Sequence, residues 1–239
     1  MREPIRLDKR CVELFDCSRG EAVKYIQGGW VLVEGKVEER PQFKVQNQAI
    51  ALHKDASLEP IEPVTLLLNL PDGFGTDDST AMQQLITTES HCEEDYSGVH
   101  MLNKHFYDLK PASPLQNRAS GLMIYSKDYK VLRVLLENNK KKQEEYIVTF
   151  SDEFTPETLE KLNELANSGG ESRSKYKASK QSEKRMRFVI EFTHPDQIES
   201  LCKRVGLTIV AMKRIRIGRV SMKNLPLGEW RYLSRKAMF

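Results

Sequence analysis

Ser113-Pro114-Leu115-Gln116-Asn117-Arg118-Ala119-Ser120-Gly121-Leu122-Met123-Ile124-Tyr125-Ser126 reads as a polar loop feeding a buried strand. Gly121 to Tyr125 is a short apolar run of strand length, and Gly121 marks a point where two backbones pack closely. The loop from Ser113 to Ser120 brings polar side chains to the end of that strand, a common place for chemistry.

The chain of 239 residues is long enough for one large domain and a small one. Hydrophobic residues make up 39% and charged residues 30%, which excludes a disordered or membrane-spanning class. No apolar run approaches the roughly 20 residues of a membrane helix. Met1-Arg2-Glu3-Pro4 opens no signal peptide, so a cytoplasmic protein is expected. Cys11, Cys17, Cys92 and Cys202 lack CxxC spacing and read as free thiols, with no structural zinc. The net charge of +3 hides an asymmetry: residues 172–239 hold 17 Lys/Arg against 5 Asp/Glu. A phosphate-facing surface is the expectation for that basic region.

Residues 5–53 form a unit of their own. Ile5, Leu7, Val12, Leu14 and Phe15 have near-helical spacing. Ser18 with Glu21 makes a capping box for a second helix, Arg19 to Gln27, which ends at Gly28-Gly29. Trp30 to Val33 is a strand, Glu34-Gly35-Lys36 a turn, and Val37 opens the returning strand. Pro60 to Pro63 is a linker. Val64 to Leu68 is an apolar strand running into Asn69-Leu70-Pro71-Asp72-Gly73, and Asp77-Asp78-Ser79 caps a helix from Thr80 to Ile86. His91, His100 and His105 lack metal-ligand spacing and read as ordinary histidines. A helix near Lys130 to Asn138, a strand from Glu144 to Phe150 and a helical segment within 151–167 follow. Ser168 to Gln181 reads as a flexible basic loop, and Arg187 to Phe192 as a strand. A helix from His194 to Val205 is closed by Gly206.

The segments RLDKR, CSRGEA and GGWVLVEGK closely resemble the small RNA-binding domain named after ribosomal protein S-four. In that family, basic residues of the two helices and the following turn straddle RNA phosphates. The matching positions are Arg6, Lys9, Arg10, Arg19, Lys24 and Lys36. Asp8, Glu13, Asp16 and Glu21 are interleaved with them, so charge alone reads as an ordinary solvated surface; the whole pattern favours RNA.

The rest resembles the S-four-domain-bearing bacterial rRNA pseudouridine synthases (RsuA/RluF-like). Against their signature G-R-L-D-x-x-(T/S)-x-G-L, anchored on Gly121-Leu122, the Arg falls on Pro114 and the catalytic Asp on Gln116. Their N-K-P-x-G turn leaves Asn69, Pro71 and Gly73, with Leu70 for the Lys. Their (K/R)-x-Y-x-V strand places Tyr146 where a tyrosine stacks on the target base, with Glu144 at the basic position. In their E-G-(K/R)-x-x-Q-(I/V)-R-R-(M/L) helix, Gln197, Ile198 and Leu201 match. The basic partner of the Asp falls on His194, and the paired arginines fall on Glu199 and Ser200. Val210 to Val220 and Leu225 to Arg231 resemble the family's C-terminal ending, with Arg214, Arg216 and Arg219 as its RNA-facing arginines.

The resemblance implies an α+β protein. Residues 1–58 are a small α-rich S-four-type RNA-binding domain. Residues 64–239 are a larger, mixed, mainly antiparallel pseudouridine-synthase-like α/β domain. The implied partner is structured RNA, rRNA first, bound by a monomer without cofactor, metal or membrane. Such enzymes flip a uridine from the stack, and a carboxylate then starts an isomerisation that rejoins uracil through carbon five. A carboxamide at Gln116 has no basic lone pair for that step, so at most trace activity is expected. The substitute carboxylates open to the chain are Asp108, Glu93, Glu94 and Asp95. A protein-binding module without RNA is a third class, and it fits the basic C-terminal region poorly.

Overall fold

Leu7, Cys11, Ala22, Ile26, Val31 and Val45 are withdrawn from solvent together, and this small cluster is the core of the first unit. The computed structural model describes residues 3–74, 84–136, 142–167, 175–191 and 194–234. The chain divides into two units, Met1–Pro63 with His100–Tyr107, and Val64–Val99 with Asp108–Phe239.

In the first unit, β1 (Ile5–Arg6) leads into α1 (Leu7–Phe15), and α2 (Arg19–Gln27) follows. Ser18 accepts from the Glu21 N–H at 3.2 Å while the Glu21 side chain accepts from the Ser18 N–H at 2.8 Å, so the expected capping box is complete. After α2 the left-handed residue is Gly29, at φ +71°. A three-stranded sheet follows from β2 (Val31–Val33), β3 (Lys36–Val37) and β5 (Ile50–Leu52), while β4 (Lys44–Val45) pairs with β1. Residues 100–107, distant in sequence, also belong here: His100 stacks on Trp30 at 4.8 Å, and Glu39 accepts from the Asn103 N–H at 2.9 Å.

The second unit is built on a nine-stranded sheet. Its strands are β6 (Thr65–Leu70), β7 (Lys110–Pro111), β8 (Ser120–Ser126), β9 (Gln143–Phe150), β10 (Tyr176–Ser182), β11 (Arg185–Glu191), β12 (Ile209–Ile217), β13 (Val220–Ser221) and β14 (Trp230–Tyr232). The order is β10-β11-β9-β12-β8-β6-β14, with β13 on β12 and β7 on β8. The β12–β8 pair is parallel and the other strand pairs of this sheet are antiparallel. The helices α3 (Tyr129–Leu136), α4 (Pro156–Asn167) and α5 (Gln197–Arg204) accompany it among the described residues. Leu135 of α3 joins Leu67, Leu122, Ile124 and Ile217 in one buried cluster.

Gly121 explains how β8 reaches β12. It sits at φ +94°, and a Cβ built there would lie 2.3 Å from the Arg214 carbonyl oxygen. No side chain fits, which is the close approach that its position in the sequence implies.

Two expectations need correction. Part of the segment expected as a flexible loop is β10, pinned to α4 because Asn163 donates to the Ala178 carbonyl at 3.0 Å and accepts from its N–H at 2.8 Å. Its lysines face outward from an edge strand, a composition that hides a strand and also discourages edge-to-edge pairing. Residues 168–174 of that segment lie outside the described residues, as do residues 75–83, which hold the expected cap and the start of the expected 80–86 helix. Asn69 and Leu70 are strand rather than turn; Asn69 is buried and donates to the Leu225 carbonyl at 2.8 Å.

Candidate functional site

The loop after β7 and the start of α5 are laced together at Gln116. Its Nε2 donates to the His194 carbonyl at 3.1 Å, and its Oε1 accepts from the Ile198 N–H at 3.1 Å. The next residue repeats the pattern, the Asn117 N–H donating to the Pro195 carbonyl at 2.7 Å and its side chain bonding the Asp196 carboxylate. The first N–H groups of a helix have no partner within it, and α5 receives no cap from its own Asp196. Gln116 supplies that cap from across the fold. The side chain is fully buried, and both ends of the amide are used. A carboxylate only accepts hydrogen bonds, so it could not satisfy the His194 carbonyl as well.

Tyr146 lies behind this junction. Its hydroxyl donates to Glu144 at 2.7 Å and accepts from the Gln116 N–H at 3.4 Å, and its ring is wholly buried. Burial, with the Glu144 charge added, pushes the phenol well above its ordinary ionisation range against the opposing pull of Arg214. Glu144 also accepts from the Ser113 hydroxyl at 3.3 Å and from Arg214 at 3.2 Å. Arg214 spends its guanidinium on Glu144, Ser113, the Pro114 carbonyl and the Leu122 carbonyl, the last two at 2.7 and 2.8 Å. Both members of the pair are fully buried.

The expected site residues therefore separate. Gln116 and Tyr146 come together, and His194 joins them through its backbone carbonyl while the residue itself is exposed. Arg214, expected at an RNA phosphate, is instead a core residue; its place two positions before Arg216 gives no sequence sign of that. Arg216 and Arg187 both bind Glu145, and Arg219 is exposed. Hydrogen bonds from those two arginines, winning over the effect of burial, hold the Glu145 carboxyl below its ordinary range.

The missed residue is Glu144. The sequence marks it as an acid at a position where the resembled family keeps a base. The structure shows why: the opposite charge, Arg214, arrives from β12. Among the substitute carboxylates, Asp95 bonds His91 at 2.8 Å and the Tyr232 N–H at 2.8 Å, while Glu93, Glu94 and Asp108 are exposed. The described residues hold no cluster of three His, Cys, Asp or Glu suited to a metal. None of their helices is long and apolar enough to cross a membrane.

A cleft of about 770 Å³ opens beside the junction, lined among others by Phe74, Asn117, Arg118, Glu199, Lys203 and Met212. Arg118, one of these lining residues, sits at φ +59°. In the first unit, Arg6, Lys9, Arg19, Lys24 and Lys36 are exposed, and Arg10 pairs with Glu13 at 2.6 Å.

Residues 5–49 match the S4 domain. The chain is 29% identical over 236 residues to an uncharacterized RNA pseudouridine synthase of Aquifex aeolicus, covering 97% of this chain and 94% of the relative. It is 27% identical over 237 residues to the dual-specificity RNA pseudouridine synthase RluF of Escherichia coli K12, covering 96% and 76%. A solved pseudouridylate synthase superposes with a TM-score of 0.58 at 19% identity, over 97% of this chain and 96% of that one, which shows a shared fold. From the helical pair at its N-terminus to the sheet that carries Tyr146, the chain is similar to the S4-domain-bearing, RsuA/RluF-like RNA pseudouridine synthases.

Proposed function

We propose that this chain is an RNA-binding member of its family in which uridine isomerisation is lost or reduced to a trace. The observation that carries the reading is the state of Gln116: a neutral carboxamide, fully buried, with both ends bonded to the α5 junction. The family's chemistry requires an anionic oxygen there, and loss of a nucleophile costs several orders of magnitude in rate. A tyrosine without an exposed face offers no platform for a flipped base. The exposed cations of the S4 unit, Arg6, Lys9, Arg19, Lys24 and Lys36, joined by Arg10, Arg216 and Arg219, supply affinity for RNA phosphates, rRNA first. Such a protein assists the folding or assembly of the RNA it holds.

A second reading has its own observation. Glu144 places a carboxylate oxygen 2.7 Å from the Tyr146 hydroxyl, and an opened site would present it as a base for a working synthase. Pseudouridine mapping of RNA from cells with and without the gene separates the two. Identical maps, with salt-dependent retention of rRNA fragments by the purified chain, support the first. A pseudouridine that disappears with the gene establishes the second, and absence of RNA binding defeats both.

A further inference from the structure

Asp8 is the acidic residue that most weakens a reading of the S4 unit from charge alone, since it sits between Leu7 and Lys9 in the basic stretch. Its side chain is only 1% exposed. Four guanidinium N–H groups reach it: Arg6 Nε to Oδ1 and Nη2 to Oδ2, both at 3.0 Å, and Arg19 Nε and Nη2 to Oδ2, both at 3.1 Å. The Lys9 N–H adds a fifth bond at 2.9 Å. The arginine side chains are themselves 44% and 60% exposed. Each bonds Asp8 through the same edge, Nε and Nη2, so each turns its Nη1 side away from the carboxylate. Arg6 comes from β1 and Arg19 from the first residue of α2, so a single buried acid fixes cations from two elements.

We propose that Asp8 is a positioning residue that holds Arg6 and Arg19 as a ready-made seat for one RNA phosphodiester. The inference rests on the RNA-binding reading and deepens it. A free arginine loses rotamer freedom when it grips a phosphate, whereas one already fixed by a carboxylate loses less. The planar fork suits phosphate through two parallel N–H bonds, and the edge left over after Asp8 can make them. Asp8 thus gives up one unit of positive charge in exchange for geometry. Ordinary surface charge predicts the opposite, since an interleaved acid only repels phosphate.

The two accounts differ in the sign of one effect. Full-length wild type and Asp8→Asn are titrated against a fluorescein-labelled 20-nucleotide RNA hairpin of arbitrary sequence at several salt concentrations. The seat predicts about tenfold weaker binding by Asp8→Asn and a shallower salt dependence, although the variant is one charge more positive. Equal or tighter binding by the variant overturns the seat and leaves RNA binding intact. No binding by wild type overturns both. If circular dichroism shows Asp8→Asn to be misfolded, Arg6→Lys with Arg19→Lys decides. That pair keeps Asp8 and the net charge but removes the forks, so a tenfold loss supports the seat and unchanged affinity overturns it.

Discussion

Asp8 in the S4 unit and Glu144 in the larger one are both carboxylates withdrawn from solvent and bonded to arginine. Around Asp8 the guanidiniums face outward, 44% and 60% exposed, while Arg214 beside Glu144 is as buried as its partner. The first arrangement has binding capacity left over after the acid is satisfied; the second has none, because Ser113, Pro114 and Leu122 take what Glu144 leaves. Exposure of the arginine, rather than presence of the ion pair, separates the proposed phosphate seat from a core brace. In this chain Glu144 and Arg214, beside Gln116 and Tyr146, form an arrangement of the second kind.

The comparison breaks most readily at Arg214. Arg214→Met leaves Glu144 buried without its cation and is expected to cost about 3–5 kcal/mol in urea denaturation. Arg19→Met is expected to change stability by less than about 1 kcal/mol, yet to weaken RNA binding clearly. Equal stability losses would dissolve the distinction between the two regions.

Gly121→Ala comes next. It forces a left-handed backbone on alanine and a methyl group into the Arg214 carbonyl, for about 3 kcal/mol, and denaturation midpoints measure it. Gln116→Asp removes the donor to the His194 carbonyl and shortens the reach to Ile198, costing about 1–3 kcal/mol. It also restores no isomerase activity by itself, because Tyr146 stays buried; turnover by this single variant would show that the site needs only its acid. Ser18→Ala unties the cap of the helix that begins with Arg19, at about 1 kcal/mol.

Acid affects the S4 side last and least. Burial raises the Asp8 carboxyl, but the hydrogen bonds from Arg6 and Arg19 outweigh it and leave it below its ordinary 3.8. A depressed carboxyl contributes stability at pH values above 3.8 and loses it as pH falls below that. RNA affinity should therefore show no step assignable to Asp8 between about pH 8 and pH 5, which a titration with the same hairpin checks.

Much of the fold was open to reading because its elements carry local signals. The capping box at Ser18 and Glu21, the Gly29 helix end, and the alternation from Glu144 to Phe150 each arise within a few residues. β10 was not legible, since Lys177, Lys180 and Gln181 are exposed and only Ala178 of that strand is buried. Nor was the assignment of residues 100–107 to the first unit, which depends on His100 meeting Trp30 across some 70 positions of chain. At the candidate site the sequence located Gln116 and Tyr146 by their neighbours. It did not reveal the roles of Arg214 and Glu144, because that pairing joins β12 to β9 and both residues look like surface charges in their own segments.

The most direct test uses an rRNA transcript labelled with tritium at carbon five of uridine, because isomerisation must release that hydrogen. The purified chain is expected to bind the transcript and to release no tritium above background, under conditions where an active family member does. Sustained release that Glu144→Gln abolishes would contradict the account, making Glu144 the working acid and the buried site a closed form of an enzyme.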